Sequence, residues 1–534
     1  MEINKVDIQQ ISINAFWSIA LFITSNVSNI LLSIFYTNLL GPELYGEYKI
    51  IVMIFTIIDQ STNFICGASI LKYSSIQENQ IAKTSKNYFK MALISLLFIK
   101  VLIYLIYFNI SGLFLINIYD LEIINNSKIY FIQLLVQPFN YIFMAYNISI
   151  YKIKRTFIIS SLIPIFSLIF TVLMFFLISI SVFNLIISIL SANVLVCGIW
   201  IYIIIKDKMV NRVILKDLYY FKKLFVFSVP FYIYTLFFLL VNWADVFTIS
   251  IFFKDNSKYY VGIYSVARST YLLVVGLMDS IIGTLTPAYI NIYLKGNLED
   301  LQNSIDKSTK YISILSIFFS SFFITIGPIL VLTIYPAYES SIPILQIFLI
   351  EIPSGSIGLM LNKLIVASEQ KIVYKSILIP LIQALIIIGL IFFMVFYLNL
   401  GLYGIVISVV IGRIAGVFYE YIFIRRMFKI KIKFKYFIKP LISALISIAI
   451  IGGLIYFFNI LDIMRISNLI TKGIILMIYS GIYISILSIL LILIRTFDEY
   501  DYSNYVEFCE KNKLLKIIGA PIGYLLKKFQ QNKE

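Results

Sequence analysis

The chain contains no histidine. Catalysis, metal ligation and pH switching through imidazole are therefore excluded. Cysteine is scarce: Cys66, Cys197 and Cys509 stand far apart, without the spacing of a metal site or a disulfide framework. Neither a cofactor nor a metal is expected. The P-loop pattern is missing, so ATP hydrolysis by that route is excluded. Charge is sparse as well, at 13% of residues, against about 25% in ordinary soluble domains. Long connections are also lacking. The longest on the expected outer side, about 115–128, is mostly apolar and too short for a separate domain. A membrane glycan polymerase or ligase needs an outer catalytic loop, so enzymatic function is not expected.

What fills the chain is apolar sequence. Hydrophobic residues make up 60%, and mean hydropathy is +0.95. About 20 apolar residues span a bilayer core as a helix. About fourteen stretches approach that length, near 13–38, 48–72, 91–114, 129–149, 157–179, 183–205, 224–251, 261–291, 309–334, 341–366, 376–398, 402–424, 439–459 and 469–494. The first is long for a cleavable signal and lacks a small-residue cleavage site, so it reads as a retained helix. The fold class is an all-α polytopic membrane protein.

The net charge of +16 follows from topology rather than from nucleic-acid binding. With a cytoplasmic N-terminus, about 33 of the 43 Lys and Arg fall on the cytoplasmic side. Lys83, Lys86 and Lys90 lie in one such loop, Lys152, Lys154 and Arg155 in another. Lys206 to Lys223 and Arg425 to Lys435 supply two more. Both termini are expected in the cytoplasm, with anionic lipid headgroups as a second use of the basic loops.

Residues 206–223 form a cytoplasmic linker between two six-helix lobes, 1–205 and 224–424. The lobes echo each other. Leu44-Tyr45-Gly46-Glu47-Tyr48 after the first stretch parallels Tyr260-Val261-Gly262-Ile263-Tyr264 after the seventh. Both are expected to be outer turns, with Gly46 and Gly262 as gating positions in a parallel repeat. Residues 425–495 add a basic loop and helices 13 and 14. The tail, 496–534, is polar and closes in Leu514 to Ile518 and Leu525 to Phe529, patterned as an amphipathic helix on the inner membrane face.

These residues carry a family resemblance. Leu39-Leu40-Gly41-Pro42-Glu43-Leu44-Tyr45-Gly46 resembles the first outer turn of polysaccharide flippases, the O-antigen and teichoic-acid exporter type of the MOP (MATE-like) superfamily. Ser228-Val229-Pro230, Asn242-Trp243-Ala244-Asp245, Val261 to Ala267, Pro287, Gly296 to Asp300 and Gly401 to Ile405 follow in matching order. The resemblance covers about residues 10–430. It implies two lobes around a central cavity, alternating access and a lipid-diphosphate-linked glycan as cargo. It also implies a cytoplasmic-membrane location, with membrane lipids and polysaccharide-assembly enzymes as partners.

Charges inside the stretches are costly and mark function or pairing. Arg268 and Arg413 are the first candidates for cargo phosphate, because the guanidinium fork matches phosphate oxygens. Lys363 and Lys100 follow. Asp59, Asp245, Asp279 and Glu351 are candidates for a coupling ion or for charge pairing. Asp59 with Lys100, and Asp245 with Arg268, fall at similar depths. Arg268 and Asp279 share one face of their helix, as do Arg413 and Glu420. Pro230, Pro287, Pro328, Pro353 and Pro380 permit kinks. The alternative function is a MATE-type drug/cation antiporter; the arginines and helices 13 and 14 weigh against it. A non-transporting scaffold would have no use for buried charge.

Overall fold

The computed structural model describes residues 8–74, 81–149, 152–207, 217–283, 298–367 and 370–494, with positions 285, 289, 292 and 496 besides. Part of the 206–223 linker, Pro287 and nearly all of the amphipathic tail lie outside the described residues. Among the described residues all regular structure is helical. The helices are α1 (Ile8–Ser61), α2 (Gly67–Ser74), α3 (Ile81–Leu115), α4 (Leu121–Tyr130), α5 (Gln133–Ser149), α6 (Ile153–Leu177), α7 (Val182–Lys206), α8 (Leu218–Phe252) and α9 (Ser257–Gly283). Then come α10 (Leu298–Ile334), α11 (Ile342–Leu349), α12 (Ile352–Ala367), α13 (Gln370–Ser376), α14 (Leu378–Ile391), α15 (Gly401–Phe428), α16 (Lys435–Phe457), α17 (Ile460–Ile466) and α18 (Leu469–Leu493).

Ten of the described helices are long and apolar enough to cross a membrane, or eleven if one bent pair counts as a span. The count of fourteen is not reproduced, and the chain shows why. The stretch 13–38 and the first part of 48–72 fall along α1, which bends at Gly41 (φ 72°), and the rest of 48–72 runs through a break into α2. Positive φ costs glycine little. Pro42 opens the second half, where its missing N–H is harmless. The stretch 129–149 is divided between α4 and the 17-residue α5. The stretch 341–366 is the bent pair, α11 and α12, broken by 53°. Pro353 sits in the first turn of α12 and cannot donate a hydrogen bond back across that break.

The glycine turns also need correction. Gly46 lies one turn inside the second half of α1, and Gly262 lies inside α9. The chain turns at Gly41–Pro42 and over the short 3-10 turn Lys254–Asn256. The two glycines instead mark a helix crossing. A Cβ on Gly46 would lie 1.7 Å from the Lys258 carbonyl oxygen, and one on Gly262 would lie 2.0 Å from that of Pro42. The sequence echo thus encodes close backbone approach, as small residues do between membrane helices.

The chain forms two compact units, residues 1–266 with 373–412, and residues 267–372 with 413–534. In the first, Phe89, Phe143, Tyr146 and Trp200 pack a core from α3, α5 and α7. In the second, α10 carries Ile326 and Ile329 against Ile451 of α16 and Tyr483 of α18. Many large apolar side chains face outward, among them Phe98, Leu113, Phe176 and Leu385. Water would not tolerate that surface. Together with the helix lengths, it makes the chain a multi-pass membrane protein.

Candidate functional site

In the first unit the intramembrane charges Asp59, Lys100 and Asp245 are each hydrogen-bonded. Asp59 lies near the end of α1, where backbone carbonyls lose their helical partners. The Lys100 ammonium of α3 donates to the Asp59 carboxylate at 2.5 Å and to its carbonyl at 2.7 Å. Lys100 is wholly buried; the structure places it against Asp59, not on an open surface. Asp245, on α8, is also fully buried. It accepts from the Val246 amide at 2.7 Å and from the Tyr264 hydroxyl.

A third cluster was not singled out from sequence. Buried Glu47 accepts from Lys258 at 3.1 Å and from Asn126 at 3.0 Å, and Lys258 reaches Asp120 at 3.0 Å. Glu47 is one residue beyond Gly46, so this cluster fastens the glycine crossing. Its members read as loop charges until the crossing brings α1, α4 and α9 together.

The second unit holds a relay of three buried side chains. Pro353 and the bend before α12 place Glu351 at the break between α11 and α12. Gly355 leaves room for it: a Cβ there would lie 2.5 Å from the Glu351 Oε1. Arg413 of α15 donates from Nη1 to the Tyr271 hydroxyl at 2.8 Å, and that hydroxyl donates to the Glu351 carboxylate. Arg413 and Glu351 are 3.9 Å apart. The guanidinium also lies 5.5 Å from the Tyr271 ring centroid. Tyr271, the centre of this relay, carries no signal in a chain of 39 tyrosines.

Arg268 is buried on α9. Asp279, three turns along the same helix, pairs with Lys363 of α12 at 2.8 Å, and both are partly exposed. Glu420 is buried on α15, with its Oε2 facing Gly358 of α12. Among the described residues it has no hydrogen bond and no ion pair, so sharing a helix face does not join it to Arg413. Lys433, in the basic connection before α16, donates to Asp306 at 2.5 Å. That hydrogen bond holds its ammonium above the usual lysine range.

The first unit also contains a cavity of about 330 Å³. Both halves of α1 reach it, through Tyr36 on one side of Gly41 and Tyr45, Tyr48 and Lys49 on the other. α6 adds Ser167 and α7 adds Asn193. Bending α1 at Gly41 is what brings these side chains to one wall.

Comparison with known proteins bears on the family and the fold. The profile of the polysaccharide biosynthesis protein family matches residues 12–293. No curated protein sequence matches at comparable significance. Among solved structures, the lipid II flippase MurJ in an inward closed conformation is similar over 89% of this chain and 100% of its own. The TM-score is 0.65, at 17% identity. An inward-facing multidrug resistance MATE transporter of the MOP superfamily is similar over 77% of this chain and 94% of its own, with TM-score 0.61 and 15% identity. Its outward-facing counterpart gives TM-score 0.59 at 15% identity, over 78% and 95%. The shared fold is that of flippases and transporters.

Proposed function

We propose that this chain, which belongs to the polysaccharide biosynthesis protein family, is a flippase. Its cargo is a lipid-diphosphate-linked oligosaccharide, carried across the cytoplasmic membrane by alternating access of two six-helix lobes, 1–205 and 224–424. The basic loops and both termini face the cytoplasm in this reading. One observation carries it. Arg413 is buried among apolar helices, yet its Glu351 counter-charge lies 3.9 Å away and is bridged by a phenol. A direct two-pronged pair would close the guanidinium fork. Here the counter-charge is reached through the Tyr271 phenol rather than by such a pair. A phosphate arriving from a lipid diphosphate meets a planar donor set already desolvated, where electrostatic attraction is strong. Arg268, buried on α9, is the second phosphate group in this reading, and Lys363 the third. Asp59, Asp245 and Asp279 serve as charge partners.

The test is glycan export in cells lacking their own flippase. Arg413→Ala and Arg268→Ala should each reach the membrane at normal levels and lose export by at least about tenfold, the scale of one charge-assisted hydrogen bond. Arg413→Lys should keep part of the activity, because it retains charge without the fork. Normal export by Arg413→Ala would end the phosphate role. Failure of that variant to accumulate would assign Arg413 to packing instead.

A further inference from the structure

The cavity in the first unit has a chemistry that the phosphate reading does not use. Among the described residues its one formally charged lining group is Lys49. The Lys49 ammonium lies 5.1 Å from the Tyr45 ring centroid and 5.8 Å from that of Tyr48. Among the described residues no carboxylate pairs with it. The Tyr36 hydroxyl is buried beside the Thr171 hydroxyl, which donates to the Ser167 carbonyl and keeps lone pairs that can accept from it. Asn193 gives its amide N–H to the Ile189 carbonyl of its own helix, which leaves its side-chain oxygen for a hydroxyl donor.

Three ligand classes meet this wall differently. An organic cation would find Lys49 and no lining carboxylate, so it is repelled. An acyl chain would strand the lysine and the amides without partners. A sugar ring has apolar C–H faces for tyrosines and hydroxyls for amides, and an acid group on it would neutralise Lys49. The volume, near the lower end of the roughly 300–1,000 Å³ of small-molecule sites, admits about one such residue and not an oligosaccharide.

We propose that this cavity binds one anionic sugar residue, with its ring against Tyr36 and Tyr48 and its acid group on Lys49. This rests on the flippase reading for its biological source, the glycan cargo, but not for its chemistry. The lysine then selects cargo by charge on the sugar, separately from any phosphate contact at Arg413.

Binding is measured directly by saturation-transfer NMR on the full chain in phosphatidylcholine nanodiscs. Glucuronate and glucose 1-phosphate are the probes, with glucose and sulfate as controls. Both probes should give ring-proton signals, with glucose weaker by about tenfold, the value of one charge-assisted contact. Lys49→Gln should remove that difference. Asn193→Leu, which fills the cavity from α7, should abolish binding of all three sugars, and it serves if Lys49→Gln fails to accumulate. Equal binding of glucuronate by the parent chain and Lys49→Gln overturns the proposal. So does full competition by sulfate at equal concentration, which would make it a bare anion site. So does loss of the signal in phosphatidylglycerol discs, which would assign Lys49 to lipid headgroups. Sugar binding that persists in a chain unable to export glycan leaves the cavity standing and removes the flippase reading. Normal Arg413-dependent export together with unaltered binding by Lys49→Gln does the reverse.

Discussion

Adding one methyl group at Gly46 should disturb transport more than removing most exposed side chains. The Gly46→Ala Cβ would stand 1.7 Å from the Lys258 carbonyl oxygen and 2.9 Å from the Gly262 amide nitrogen. Both obstacles are backbone, so no side-chain rotation relieves them. To restore even a 3.0 Å contact, α1 and α9 must part by about 1.3 Å. Overpacking of this kind costs about 1–3 kcal/mol. Rigid backbone places Gly46→Ala at the upper end, and about 3 kcal/mol shifts a two-state equilibrium by roughly a hundredfold. Parting the helices also strains the Glu47–Lys258–Asp120 cluster beside the crossing. The control is Gly112→Ala in α3, where nothing lies within 4 Å of the new Cβ and helix propensity improves. The assay introduces Tyr45→Cys and Val261→Cys into a chain stripped of native cysteines. Their bond forms only when the Cα atoms come within about 7 Å. Mild oxidation should crosslink the Gly112→Ala background readily and block export, with reduction restoring it. The Gly46→Ala background should crosslink at least tenfold more slowly and export poorly. If it crosslinks and exports like the control, the close crossing plays no part in the transport cycle. Crosslinking without loss of export would make the contact static.

Two other outcomes follow from burial and charge. Glu420→Gln should accumulate at least as well as the parent, because it removes an ionisable group that is buried without a counter-charge; thermal unfolding in detergent checks this, and a clear drop in melting temperature would show that the carboxylate has a stabilising role. Single cysteines at Ser74 and Asn211 should resist an impermeant thiol reagent applied to intact cells while Asn125 and Asn256 react; labelling of Asn211→Cys from outside would invert the topology.

The sequence made the class of protein legible because transmembrane burial needs length and apolarity, and both survive in a one-dimensional pattern. It also made the Asp59–Lys100 pair legible, because alternating topology converts distance from a loop into depth. Helix number was less legible for the same physical reason. Hydropathy registers apolar content, whereas continuity depends on single residues, such as Gly41 taking positive φ or Pro353 withholding a hydrogen bond. Relays were least legible. Arg413 and Glu420 share a face of α15, as their seven-residue spacing implies. Yet Arg413 meets Glu351 through Tyr271, and Glu420 faces Gly358. A helix face states which direction a side chain leaves. The partner is fixed by which neighbouring helix is thin enough to admit it, and here glycines set that. Gly355 makes room for Glu351, and Gly358 admits Glu420. The same logic explains why Gly46 and Gly262 resembled turns. In a membrane helix a glycine more often marks the side that another backbone approaches, and only the partner tells the two apart.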